Sequence, residues 1–149
     1  MSKLLARLQD ASRSATYKAP RTDEILDATR GAGFDLVRID LARVSDKEEL
    51  LGRLASALAF PQWFGGNWDA LEDCLTDLSW RPADRHVLLI EGFQDLRARR
   101  PDDFGVLLDV IASSALYWNE RGRLFFAVFI DPEGTLALPD LYRRRQERL

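Results

Sequence analysis

Residues 60–80 read F-P-Q-W-F-G-G-N-W-D-A-L-E-D-C-L-T-D-L-S-W. The Gly65-Gly66 pair breaks the backbone, and Asn67 is a strong helix N-cap because its side-chain oxygen can accept from the free N–H groups of a first turn. A helix is therefore expected from Trp68. At 100° per residue, Leu71, Cys74, Leu75 and Leu78 form one apolar stripe, and Asp69, Glu72, Asp73, Thr76 and Asp77 lie on the opposite side. One face packs on a core and the other is acidic.

Helix stability does not call for this arrangement. Asp69 gains from the helix dipole, but like charges at i,i+4, Asp69 with Asp73 and Asp73 with Asp77, each cost roughly 0.2–0.5 kcal/mol. No Lys or Arg occurs between Arg53 and Arg81, whereas Trp63, Phe64, Trp68 and Trp80 all fall in that window. A solvated helix face accounts for a charge run in general. Acid without a compensating base, set beside aromatics, points instead to a binding surface.

Working outward, 149 residues with 46% hydrophobic content suit one domain with a substantial core. The net charge of −3 gives no global basic field of the kind that gathers nucleic acid. The charges are segregated all the same. Lys3, Arg7, Arg13, Lys18 and Arg21 face only Asp10 at the start, and Arg143, Arg144, Arg145 and Arg148 crowd the tail. The single cysteine, Cys74, excludes an internal disulfide, fits a reducing compartment, and on its apolar stripe reads as a buried structural thiol. The N-terminal run lacks a secretory h-region, and no stretch approaches the roughly 20 apolar residues of a membrane span, so a cytoplasmic location is expected.

Leu4, Leu5, Leu8 and Ala11 recur at helical spacing. Such a short amphipathic helix can dock on the domain, join a partner or touch a membrane. Residues 12–21 read as a linker with Tyr17 its one anchor. Thr22 can cap a helix that Gly31 and Gly33 end, and Phe34 to Leu41 reads as a strand. Ser45 with Glu48 makes a capping box for a helix carrying Leu50, Leu51, Leu54 and Leu58, which Pro61 ends. Val87 to Ile90 is a continuously apolar strand, Gln94 to Asp103 a polar stretch, Phe104 to Glu120 a helix stopped by Gly122, and Leu124 to Ile130 a further strand. The remainder is weakly patterned and basic. Long helix-bearing connections imply parallel pairing, hence an α/β fold with a three-stranded parallel sheet packed with helices. Residues 1–33 are expected as an N-terminal helical extension, 34–131 as the domain and 132–149 as a basic tail.

Enzymatic chemistry finds little support. His86 is the only histidine and opens a strand, where a structural role is expected. Neither nucleotide-binding glycine fingerprint is present, nor any Cys/His zinc spacing. Asp69 and Asp73, about 6 Å apart along a helix, could with Asp77 hold Mg²⁺ for a phosphate substrate, or a carboxylate pair could act at a glycosidic bond. The competing reading is protein recognition. An acidic helix can enter a cleft lined by phosphate-binding Arg and Lys, its carboxylates standing in for successive phosphates, with Trp63 as an anchor.

The run P-Q-W-F-G-G-N-W-D-A-L-E-D-C-L-T, Pro61 to Thr76, resembles that of the barstar family of intracellular ribonuclease inhibitors in order and spacing, without a gap. A weaker likeness extends over roughly 34–130. The resemblance implies a three-stranded parallel sheet and a helix that plugs a ribonuclease active site. By matching position, Asp73 would be the principal carboxylate and Asp69 its support. Trp63 would be a contacting aromatic followed by Phe64, with Gly66, Asn67 and Trp68 at the helix start and Thr76 and Asp77 on the same face. Glu72 stands where well-known members have a tryptophan, Gly66 replaces a polar turn residue, and Leu116-Tyr117-Trp118-Asn119 occupies the place of a helix that often adds a glutamate. The implied protein is a non-enzymatic, cofactor-free inhibitor, monomeric when free. It would act in immunity against a ribonuclease or other basic nuclease, without direct contact to nucleic acid or membrane. Alternatives are an adaptor for another basic protein and the Mg²⁺-dependent hydrolase.

Overall fold

The computed structural model describes residues 2–142; of the basic tail expected at 132–149, the residues from Arg143 lie outside them. Along the chain run α1 (Lys3–Leu8), β1 (Thr16–Ala19), α2 (Asp23–Thr29), β2 (Asp35–Asp40), α3 (Lys47–Leu58), α4 (Trp68–Leu75), β3 (His86–Glu91), α5 (Gln94–Arg99), α6 (Pro101–Glu120) and β4 (Phe125–Ile130). The strands form one parallel sheet in the order β1-β4-β3-β2.

The sheet therefore has four strands, not three. The additional one is β1, from the segment read as a linker. Its register pairs Thr16 with Ala127 and Ala19 with Ile130, and Tyr17 stacks on Phe126 with ring centroids 6.0 Å apart. Four residues containing Lys18 and followed by Pro20 carry no strand signal, because their partner lies over a hundred residues away. The tie is made by contacts only the fold creates. Ser14 Oγ donates to the Arg123 carbonyl and accepts from the Phe125 N–H, and Asn119 Nδ2 donates to the carbonyls of Ser12 and Ser14.

Alternation along the strands divides the interior. Val37, Ile39, Leu88, Ile90, Phe125, Ala127 and Phe129 pack beneath α3, α4, α5 and α6. On the other face Val87, Leu89, Phe126 and Val128 receive Leu4 and Leu8 of α1 and Ile25 of α2. The N-terminal amphipathic helix thus docks on the sheet, the first of its three expected fates. Burying apolar surface on both faces makes β3 and β4 almost wholly apolar.

Several boundaries move. Thr22 makes no capping bond to α2, and α3 is capped one residue later than expected, by Asp46 accepting from the Glu49 N–H at 2.8 Å. The polar stretch 94–103 contains α5 and the first turn of α6. Leu96 anchors it from inside, and Phe93 stacks on Phe104 at 5.3 Å.

A buried polar cluster joins β2 and β3 to the chain that follows α4. Arg81 Nε and Nη2 donate to the two carboxylate oxygens of Asp35, each at 2.9 Å, and His86 Nδ1 lies 3.1 Å from Asp35 Oδ2. Hydrogen bonding from Arg81 holds the Asp35 carboxyl below its usual range, and burial pushes His86 below its own despite Asp35. Both groups then favour folding at neutral pH. The His86 contribution is complete above about pH 6.5 and the Asp35 contribution above about pH 4, each lost as pH falls through the lowered folded-state value. Urea midpoints should decline in two stages on acidification, with His86→Gln abolishing the first. Asp35→Asn, which strands Arg81, should cost about 3 kcal/mol in urea unfolding at neutral pH.

Candidate functional site

The helix expected at Trp68 begins there. Asn67 Oδ1 accepts from the Ala70 N–H at 2.7 Å, and Gly66 precedes it at φ +70°, a left-handed conformation that costs glycine little. Leu71, Cys74, Leu75 and Leu78 are all buried, so the apolar stripe faces the core as expected. Burial, with Asp73 and Asp77 nearby, pushes the Cys74 thiol up to about 11. Such a thiol is not ionised near neutral pH.

The helix is shorter than its stripe. It ends at Leu75, with Thr76 at the C-cap and Leu78 at φ +54°. Trp118 of α6 closes this end, its Nε1 donating to the Leu75 carbonyl at 2.8 Å. Asp77 accordingly lies beyond the helix. Asp69, Asp73 and Asp77 are exposed and Glu72 is partly so, and none of the four makes an ion pair with any described residue. Thr76 turns its hydroxyl inward, donating to the Glu72 carbonyl at 2.8 Å, which leaves its oxygen as an acceptor. No three acidic, histidine or cysteine side chains among the described residues are gathered closely enough to hold a metal ion. Asp69, Asp73 and Asp77 are accordingly not gathered as a three-carboxylate group.

The aromatics beside the helix form a ladder from core to solvent. Phe60 meets Phe64 at 4.9 Å and Trp80 at 6.0 Å, and Trp80 meets Trp63 edge-on at 6.3 Å. Trp63 remains 55% exposed at the end of the ladder, whereas Phe64 and Trp68 are half-buried against the core. The ladder is fixed from below. Trp80 Nε1 and Arg81 Nη1 both donate to the Leu58 carbonyl at the end of α3, at 2.9 and 3.1 Å. Arg81 is the same guanidinium that grips Asp35.

Two supporting residues escaped the sequence reading. Lys47 of α3 places its ammonium 5.8 Å from the Trp68 ring, so the base-free window in sequence has a cation at its border in space. Nothing in the spacing of positions 47 and 68 signals that. Arg81 carried a faint signal, as the first base after the acidic run.

A family model described as Barstar (barnase inhibitor) matches residues 34–130, well over half of the chain. The chain belongs to the barstar family. No curated protein matches it. Among the described residues, no helix is long and apolar enough to cross a membrane.

Two solution measurements check the local chemistry. Asn67→Ala should cost about 1 kcal/mol of unfolding free energy by loss of the cap. Cys74 in the folded protein should resist a thiol-disulfide reagent at pH 8 and react on addition of denaturant; reaction at the rate of a free thiol would contradict its burial.

Proposed function

We propose that this barstar-family chain binds a ribonuclease or related nuclease toxin and occludes its cationic active site with the acidic surface of α4. The observation that carries the proposal is the exposure of Asp69, Asp73 and Asp77 without an ion pair to any described residue, on a segment whose opposite side is locked into the core. Carboxylates held on a rigid helix lose little freedom on meeting a guanidinium, and replace the phosphates that such a cleft is built to receive.

In this reading Asp73, central on the exposed face, makes the principal contact and Asp69 supports it. Trp63 is the aromatic anchor, and its seat on Trp80 presents a large apolar surface in one orientation. Phe64, Gly66, Asn67 and Trp68 set the approach to the helix. Glu72, Thr76 and Asp77 extend the acceptor surface towards its C-terminal end. Inhibition by occlusion needs no catalytic group and no cofactor on this chain, and the site of action is the cytoplasm, with the inhibitor free as a monomer.

Binding to a panel of small microbial ribonucleases, barnase among them, tests this. Affinity should fall as salt rises, and Asp73→Ala should weaken it about 100-fold or more, a size taken over from charge pairs at interfaces of this family. Asp69→Ala should cost less. If the doubly substituted protein binds as tightly as the wild type, the acidic helix is not the contact. If no ribonuclease binds while a different basic protein is captured through Asp73, the chain is an adaptor instead.

A further inference from the structure

At the C-terminal end of the acidic surface the molecule has a recess of about 540 Å³, whose lining includes Asp77, Asp84, Arg81, His86, Trp118 and Arg123. Its floor holds a group that neither the core nor the acidic helix uses. The His86 side chain is only 7% exposed, and its Nδ1 is engaged by Asp35. Asp35 is a carboxylate and can only accept, so the imidazole donates from Nδ1–H, and in the neutral ring Nε2 keeps its lone pair. Nε2 has no partner among the described residues, yet no nitrogen or oxygen of a described side chain is sealed from solvent without one. The His86 ring is not wholly enclosed, and the recess that it lines is the opening beside it.

The charge of the lining settles what suits that acceptor. Arg81 is cancelled by Asp35, which leaves Asp77 and Asp84 against Arg123, a balance of two negative to one positive. Trp118 closes one wall, and Arg123 rests its guanidinium 5.6 Å from that indole, within reach of a cation–π contact. Acceptor, carboxylates and aromatic wall are the complement of a flexible cationic donor. An anion would meet two carboxylates and a lone pair.

We propose that this recess is a second pocket of the partner-binding surface, receiving an arginine or lysine side chain that enters past Asp77 and donates to His86 Nε2. This rests on the inhibitor reading for the identity of the partner, but not for the chemistry of the pocket. Asp77 joins the two, since it stands at the end of the acidic run and on the rim. Protonation of Nε2 would replace the acceptor with a cation facing Asp35, Arg81, Asp77, Asp84 and Arg123. Occupancy is thereby confined to pH values above the His86 titration.

As the only histidine, His86 gives unambiguous ring signals in ¹⁵N NMR of the full chain. The probe is N-acetyl-arginine N-methylamide, with the lysine analogue and inorganic phosphate in parallel. At pH 7.5 the ring should show an Nδ1–H tautomer, and Nε2 should shift saturably with the arginine probe and not with phosphate. Asp77→Asn with Asp84→Asn should weaken the effect about fivefold. Arg123→Ala should strengthen it by removing the competing cation. A proton on Nε2 at pH 7.5, no saturable shift with either cationic probe, or weakening on Arg123→Ala would overturn the proposal. None of these readouts involves a ribonuclease, so failure here leaves the role of Asp73 standing, and failure of ribonuclease binding leaves the pocket standing.

Discussion

The bidentate contact between Arg81 and Asp35 is the constraint on which the presentation of the surface depends. It clamps the start of β2 to the chain leaving α4, and it orients His86 at the start of β3. The same guanidinium shares the Leu58 carbonyl with Trp80, so the end of α3 is tied into the same cluster. From Asp35 to Trp63 there is one unbroken succession of hydrogen bonds and ring contacts. An exposed tryptophan on a loop would otherwise sample many orientations; here its seat is referred back to the strand ends. The cost of burying the ion pair is offset because every side-chain nitrogen and oxygen in the cluster that is cut off from solvent has a hydrogen-bond partner.

Much of this was legible in the sequence. The α/β class, the order of the later strands, the Asn67 cap and the inward stripe of Leu71, Cys74, Leu75 and Leu78 follow from periodicity and capping chemistry, which are local. β1 was not legible, because three half-buried residues and the buried Ala19 acquire strand character only from β4 beside them. α5 was hidden for the opposite reason, its polar exposed residues outnumbering the one buried Leu96. The end of α4 was overrun because the apolar stripe continues to Leu78, although that residue reaches the core through a left-handed backbone rather than along a helix. At the site, the spacing pointed to the carboxylates. It could not show that Asp77 leaves the helix, that Lys47 borders Trp68, or that His86 lines a recess.

The acidic surface and the core beneath it are balanced differently. The buried side of α4 is closed at both ends, by Asn67 at its start and by the Trp118 indole at its finish. That closure lets the exposed side carry Asp69 and Asp73, with Asp77 just beyond the helix, without an ion pair to any described residue. Local stability is supplied by packing and capping, and the charges are left for use elsewhere. Under the proposed function, Glu72 in place of an aromatic would shift the surface further towards electrostatic recognition.

The position of β1 also bears on how the chain is made. The first strand pairs with β4, which is not complete until Ile130, and is bridged at Lys18 by Asp140. A chain emerging from the ribosome N-terminus first holds α1, β1 and α2 without their seat, with Leu4, Leu8 and Ile25 uncovered until β4 arrives. Pairings of such long sequence separation slow folding and prolong the exposure of apolar surface. The sheet closes only once β4 is available, so that truncated chains ending before β4 lack the support for both faces at once.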